Sequence, residues 1–187
     1  MRSPSTRVRS CTAALLALCL GGNGCDRATE EPDEVDPHDV AFDLLDALAI
    51  ADEHEPGGIS IEAELTDDDG DGLVYDVDRV VGEQTREILI DADTGEVVAT
   101  RVDPEDQAEG RMQGQAIATS QDGVTLERAI QTALDTLPGT AVSAETEVEV
   151  EDGVILVVLL EGETSHALAI DLDTGVVVDT AAEPAGD

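Results

Sequence analysis

At 187 residues the chain is long enough for one ordinary domain or two small ones. Nine cationic side chains, every one an arginine, stand against 44 acidic ones, for a formal net charge of −35, which repels phosphate backbones and excludes direct nucleic-acid binding as the expected activity. Hydrophobic residues make up 41%, almost all aliphatic, with one Tyr, one Phe and no Trp, so an aromatic-stacking ligand site is not expected.

Arg2, Arg7 and Arg9 precede a short apolar run, Cys11–Leu20, and the small residues Gly21, Gly22 and Gly24 lead to Cys25. This is the layout of an export signal over residues 1–24. The apolar run is too short to span a bilayer, which takes about 20 residues. Small residues directly before a Cys resemble a bacterial lipoprotein signal, which implies Cys25 as the lipidated first residue of the mature chain, although Gly22 stands where that signal prefers Leu. Plain secretion after cleavage near Gly24 is the alternative, leaving a secreted or periplasmic soluble protein. Cys11 and Cys19 lie inside the signal, so no intramolecular disulfide is expected. Residues 25–36 are acidic and nearly devoid of apolar side chains, and read as a tether.

A first unit is expected over residues 37–103. Asp36 suits a helix N-cap and Pro37 the first helical position. Val40, Leu44, Leu48 and Ala51 recur at helical spacing, and Gly57-Gly58 ends the segment. Ile59, Ile61, Ala63 and Leu65 alternate as a strand. Further strands are predicted over 73–81, 85–90 and 96–102. Residues 104–123 are polar with Gly110 and Gly114 and read as a linker, long enough to hold a short extra helix. The second unit, 124–182, opens at Thr125 as N-cap. Its helix carries Leu126, Ala129, Ile130, Ala133, Leu134 and Leu137 on one face, and Pro138-Gly139 stops it. Strands follow over 142–150, 154–160, 165–170 and 176–180. The run Val154–Leu160 is apolar throughout, as expected of a strand that is central or covered on both faces. The tail, 183–187, is expected to fray.

The two units repeat each other. Ile90-Asp91-Ala92-Asp93-Thr94-Gly95-Glu96-Val97-Val98 returns 80 residues later as Ile170-Asp171-Leu172-Asp173-Thr174-Gly175-Val176-Val177-Val178. In each, Asp91 or Asp171 can accept backbone amides ahead of it, Asp93-Thr94 or Asp173-Thr174 fill the turn, and Gly95 or Gly175 supplies positive φ. The expected fold is α+β: two tandem units, each one helix packed on an antiparallel three- to four-stranded sheet.

Leu73-Val74-Tyr75-Asp76-Val77-Asp78, Gly82-Glu83 and Glu87–Val98 together resemble the PepSY domain, found in propeptides of thermolysin-like metallopeptidases and in exported bacterial proteins. The second unit is similar in pattern and at Asp171–Gly175, but lacks the Tyr. The resemblance implies a non-catalytic, exported module that binds a protein partner, with a metallopeptidase favoured, and that restrains or inhibits it. It carries no catalytic residues and no cofactor.

Asp67, Asp69 and Asp71, with Gly72 and Asp78 following, have oxygen ligands at a spacing able to wrap calcium. Strand-like flanks in place of helices favour a solvated acidic hairpin turn, with an acidic, calcium-responsive surface as the alternative function. His38, His54 and His166 form no zinc motif. Ser165 and His166, adjacent in a strand, point to opposite faces and cannot build a triad.

Overall fold

Eight strands form one antiparallel sheet, in the order β4-β3-β2-β1-β5-β6-β7-β8. The computed structural model describes residues 40–67, 72–102, 107–148 and 153–184, and the signal, the tether, Cys25, His38 and the Asp36–Asp39 helix start lie outside them. The first repeat supplies α1 (Leu44–His54), β1 (Ile59–Asp67), β2 (Leu73–Val81), β3 (Gln84–Asp91) and β4 (Val97–Val102). After α2 (Gln107–Thr119), the second repeat supplies α3 (Leu126–Thr136), β5 (Thr140–Val148), β6 (Gly153–Glu161), β7 (Thr164–Asp171) and β8 (Val177–Pro184).

The expectation of two separate sheets is thereby corrected. Each repeat contributes a four-stranded meander, and β1 pairs with β5 through Glu62↔Glu145, Ala63↔Ala144 and Glu64↔Ser143. Merging the meanders removes two of four sheet edges, which would otherwise expose unpaired backbone groups.

Strand alternation assigns the two faces. Tyr75 and Val77 of β2, Ile88 and Ile90 of β3, Ala63 of β1 and Ala144 of β5 are fully buried, as are Ile155, Val157 and Leu159 of β6 and Leu168 and Ile170 of β7. They meet Leu44, Ala47, Leu48 and Ala51 of α1 and Leu126, Ala129, Ile130 and Ala133 of α3 in one core. Both helices bury a stripe at i, i+3, i+4, i+7 and leave their other faces to solvent. Burial of each Leu or Ile side chain is worth about 1.5–3 kcal/mol.

Helix starts are fixed by caps. Asp43, not Asp36, caps α1: its carboxylate accepts the Asp46 amide at 2.8 Å, and Asp46 returns a bond to the Asp43 amide at 3.2 Å. This reciprocal pair satisfies two amides the helix leaves unpaired. Val40 therefore precedes α1, packed against its core. Thr125 caps α3 by accepting the Arg128 amide.

The other sheet face is treated differently. Here α2 lies at one end of the first repeat, over Ile61, Val80 and Thr85. Two small residues permit that approach: a Cβ on Gly110 would sit 2.3 Å from Thr85 Oγ1, and one on Gly114 would sit 3.0 Å from Val80. Gln107 accepts the Thr85 amide and donates to the Thr85 carbonyl, both at 3.0 Å, and so continues the ladder on β3 beyond the end of β4. Gln113 donates to the Thr146 carbonyl at 2.7 Å, linking α2 to the second repeat. The tail does not fray through Pro184: Ser165↔Glu183 and Thr164↔Pro184 extend β8.

Candidate functional site: the open sheet face and the Asp-Thr-Gly turns

The Asp-Thr-Gly stretches join β3 to β4 and β7 to β8. Asp91 Oδ1 accepts the Thr94 amide at 2.7 Å, the Thr94 hydroxyl at 2.9 Å and the Asp93 amide at 3.1 Å. Asp171 Oδ1 accepts the Thr174 amide at 2.8 Å and the Thr174 hydroxyl at 2.6 Å. These bonds favour the ionised carboxylates and hold both below the usual carboxylate range. Gly95 and Gly175 both take φ of +69°. The residues are engaged in closing turns.

Each turn also docks the segment that leads into its repeat's helix. The Phe42 amide donates to the Ala92 carbonyl at 3.1 Å, and the Phe42 ring lies against Gly95. In the second repeat the Asp122 amide donates to the Asp173 carbonyl at 3.2 Å, and Gln121 to the Asp173 carboxylate at 3.3 Å.

Register lays side chains of the face opposite α1 and α3 in rows across all eight strands. One row reads Asp179, Ala169, Leu156, Glu145, Glu62, Asp78, Glu87, Arg101 from β8 to β4. The next reads Ala181, Ala167, Val158, Ser143, Glu64, Asp76, Leu89, Ala99. Directly opposed side chains on adjacent strands lie about 5 Å apart, so like charges there repel. Glu62, Glu64, Asp76 and Asp78 line a shallow pocket. Burial, reinforced by Glu145, Asp78, Glu64 and Asp76, pushes Glu62 up to about 7. Burial, reinforced by Glu87, Asp78 and Glu64 and opposed by Arg101, pushes Asp76 up to about 7. Glu145 is raised by burial and by Glu147, Glu109 and Glu64. Arg101 reaches Glu87 at 3.5 Å. Asp76 Oδ1 is buried without a hydrogen-bond partner.

These rows escaped sequence reasoning. The alternation Asp76, Asp78 beside Tyr75, Val77 marked a polar strand face, and Glu62, Glu64 marked another. Only the pairing of β1 with β2 and β5 brings them together.

Of the calcium candidates, Asp67 and Asp78 are described and stand apart. Asp69 and Asp71 lie outside the described residues, Asp67 ends β1 opposite Leu73, and Asp78 lies opposite Glu62. From Leu73 to Asp78 the strand advances about 16 Å at ~3.3 Å per residue, so Asp78 belongs to the acidic rows rather than to the turn. Among the described residues, no group of His, Cys, Asp and Glu is arranged to hold a metal ion. His54 Nε2 lies 3.0 Å from Thr100 Oγ1 and His166 Nε2 3.2 Å from Glu161, in different repeats.

A buried arginine was also missed. Arg79 is 1% exposed on the face of Tyr75 and Val77. It donates to Asp52 at 2.8 Å, the Gly58 carbonyl at 2.9 Å, Ser60 Oγ at 3.0 Å and the Glu55 carbonyl at 3.4 Å, closing the C-terminal end of α1. The signal was a lone Arg at an inward position of an alternating strand.

The chain belongs to the PepSY family, described as the peptidase propeptide and YPEB domain, whose profile matches twice, over residues 44–101 and 123–181. No curated protein matches. Among solved structures, a protein of Clostridium difficile 630 provisionally named a lipoprotein is 18% identical, covering 78% of this chain and 95% of its own, with a TM-score of 0.46. One of Bacteroides eggerthii, provisionally named a periplasmic protein, is 10% identical, covering 75% and 89%, with a TM-score of 0.28. Among the described residues, no helix is long and apolar enough to cross a membrane.

Proposed function

We propose that this is an exported, non-catalytic binding module, held at the cell envelope by a lipid on Cys25, that engages and restrains a peptidase. The observation that carries this reading is the duplicated match to a peptidase-propeptide family across both halves of one sheet. The titratable groups support it. The depressed carboxylates, Asp91 and Asp171, are occupied by turn bonds, and the raised ones, Glu62 and Asp76, stand among other acids with one arginine near. A protein partner suits such a surface, and its acidity steers basic surfaces toward it.

The test is steady-state inhibition of thermolysin-like metallopeptidases by the full chain, with salt varied. Inhibition that weakens as salt rises is expected. Unchanged peptidase activity at every concentration contradicts the regulatory role. Anchoring is tested by metabolic fatty-acid labelling: the label is expected on the wild type and lost in Cys25→Ser, and an unlabelled wild type contradicts it.

A second reading, a calcium-responsive surface, rests on the acidic reversal that begins where Asp67 ends β1. Asp67, Asp69 and Asp71 would be the ligands. Calcium is then expected to raise the melting temperature over chelator at constant ionic strength, and Asp69→Asn/Asp71→Asn to abolish the rise. An unchanged melting temperature eliminates it.

A further inference from the structure

We infer that the sheet face opposite α1 and α3, alongside α2, is a docking floor for a segment of a partner protein that is cationic in one half of its length and aliphatic in the other. Its lysines or arginines would lie over Glu62, Asp76 and Asp78, and its aliphatic side chains over Leu156 and Val158. This rests on the partner-binding reading above and deepens it by naming the surface and the chemistry it accepts.

Three observations converge. First, the face is divided along the rows. On β1 to β3 it carries Glu62, Glu64, Asp76, Asp78 and Glu87 with the buried Leu89, on β5 it carries Ser143 and Glu145, and on β6 and β7 it carries Leu156, Val158, Ala167 and Ala169. The inward neighbours Ile155, Val157 and Leu159 are fully buried, whereas Val154, Leu156, Val158 and Leu160 are half-buried. The strand expected to be central or covered on both faces is interior to the sheet, between β5 and β7; α3 packs on β5, β6 and β7, while α2 packs on β1, β2, β3 and β5. A partly exposed aliphatic stripe on a chain this acidic offers apolar contact beside the carboxylates.

Second, among the described residues carboxylates outnumber arginines in the rows of the acidic half. Arg101, paired with Glu87, stands at its far edge on β4. Four opposed carboxylates in the pocket repel one another, and a cation set among them removes that repulsion. Asp76 Oδ1, buried and without a hydrogen-bond partner, awaits a donor. Third, α2 shows how the face accepts an element. It lies across the strands, bridging β3 and β5 through Gln107 and Gln113. A second segment laid parallel to it would cover the two mixed rows.

The probe is a synthetic peptide with lysines in one half of its length and leucines in the other, titrated calorimetrically into the full chain at low salt. Leu156→Glu/Val158→Glu and, separately, Glu62→Gln/Asp76→Asn/Asp78→Asn are each expected to weaken binding by about tenfold or more. The neutralised variant removes repulsion, so it keeps the test valid if the first variant folds poorly. A scrambled peptide of the same composition is expected to bind at least about tenfold more weakly. Equal affinity for the scrambled peptide, affinity indifferent to the neutralised variant, or no binding overturns the inference. So does protection from deuterium exchange confined to the β4 or β8 edge, which would mark strand addition. Tight, face-specific peptide binding with no peptidase inhibited supports the docking floor while contradicting the peptidase reading, so the two fail separately.

Discussion

The two repeats solve the same packing problem with different chemistry. At the C-terminal end of α1, Arg79, Ser60 and Asp52 form a hydrogen-bonded group inside the first repeat. The corresponding places in the second repeat hold Leu159, Ala141 and Leu134, and the contact is apolar. On the opposite face, Asp76, Asp78 and Glu87 correspond to Leu156, Val158 and Ala167. The first repeat thus keeps polar groups on both sides of its sheet, whereas in the second β6 is aliphatic on both sides and polar places lie on β5 and β8. The repeats share one backbone plan, and their strand-facing positions differ, so that one continuous sheet carries carboxylates from β3 to β5 and aliphatic side chains on β6 and β7.

The largest effect is expected where the comparison is starkest. Arg79→Ala strands Ser60 and the carbonyls of Glu55 and Gly58, and should cost about 3 kcal/mol in denaturant unfolding. Importing the second repeat's solution as Arg79→Leu/Ser60→Ala/Asp52→Leu should recover most of that loss, because apolar replacement of a buried polar group is often neutral. A triple variant as unstable as the single one would mean that the repeats are not interchangeable.

Next come the turns. Gly95 and Gly175 share φ, but a Cβ on Gly95 would sit 2.8 Å from Phe42 and one on Gly175 only 3.4 Å from Arg128. Gly175→Ala should cost about 1 kcal/mol for the positive φ alone, and Gly95→Ala roughly 1 kcal/mol more for displacing the ring. Equal costs would show that Phe42 yields freely.

Then the acidic rows. Glu62 and Asp76 are raised to about 7, so between the ordinary carboxylate range and pH 7 the folded state binds more protons than the unfolded state. Stability should therefore rise as pH falls from about 7 toward 4.5. It should fall at lower pH, as Asp91 and Asp171, whose folded values are depressed, become protonated and release the turns. Glu62→Gln/Asp76→Asn should flatten the upper limb and stabilise at pH 8 by about 1 kcal/mol per position, since solvent still screens these partly exposed groups. The matching Ser143 and Leu156 of the second repeat do not titrate, so Ser143→Ala should leave the profile unchanged. A rising limb that survives neutralisation would assign it elsewhere.

Much of the fold was legible because its signals are local. The Asp-Thr-Gly turns, the alternation of β2 and the Thr125 cap each involve residues a few positions apart. Asp43 carried the same kind of signal, an acid with another acid three residues on, but Pro37 drew attention to the wrong start. The single sheet was not legible, because strand alternation in Ile59–Leu65 and Val142–Val150 names a buried face and not a neighbour. Pairing Glu62 with Glu145 sets like charges side by side, which local reasoning disfavours. The acidic rows depend on that pairing and were invisible for the same reason. The extra helix allowed for in residues 104–123 is α2, and its bounds and its packing were not legible, because its glycines weaken its intrinsic propensity but allow it to approach Thr85 and Val80.

The account depends on the β1–β5 joint, which makes two family repeats one sheet and carries the rows across it. The direct measurement is urea unfolding of the full chain, followed by far-ultraviolet circular dichroism and by Tyr75 fluorescence, which reports from the first repeat. The account predicts a single transition with one midpoint, lowered for both probes alike by Arg79→Ala. Two transitions, with Arg79→Ala moving only the one seen by Tyr75, would mean that the repeats fold as separate domains and that the shared face does not exist.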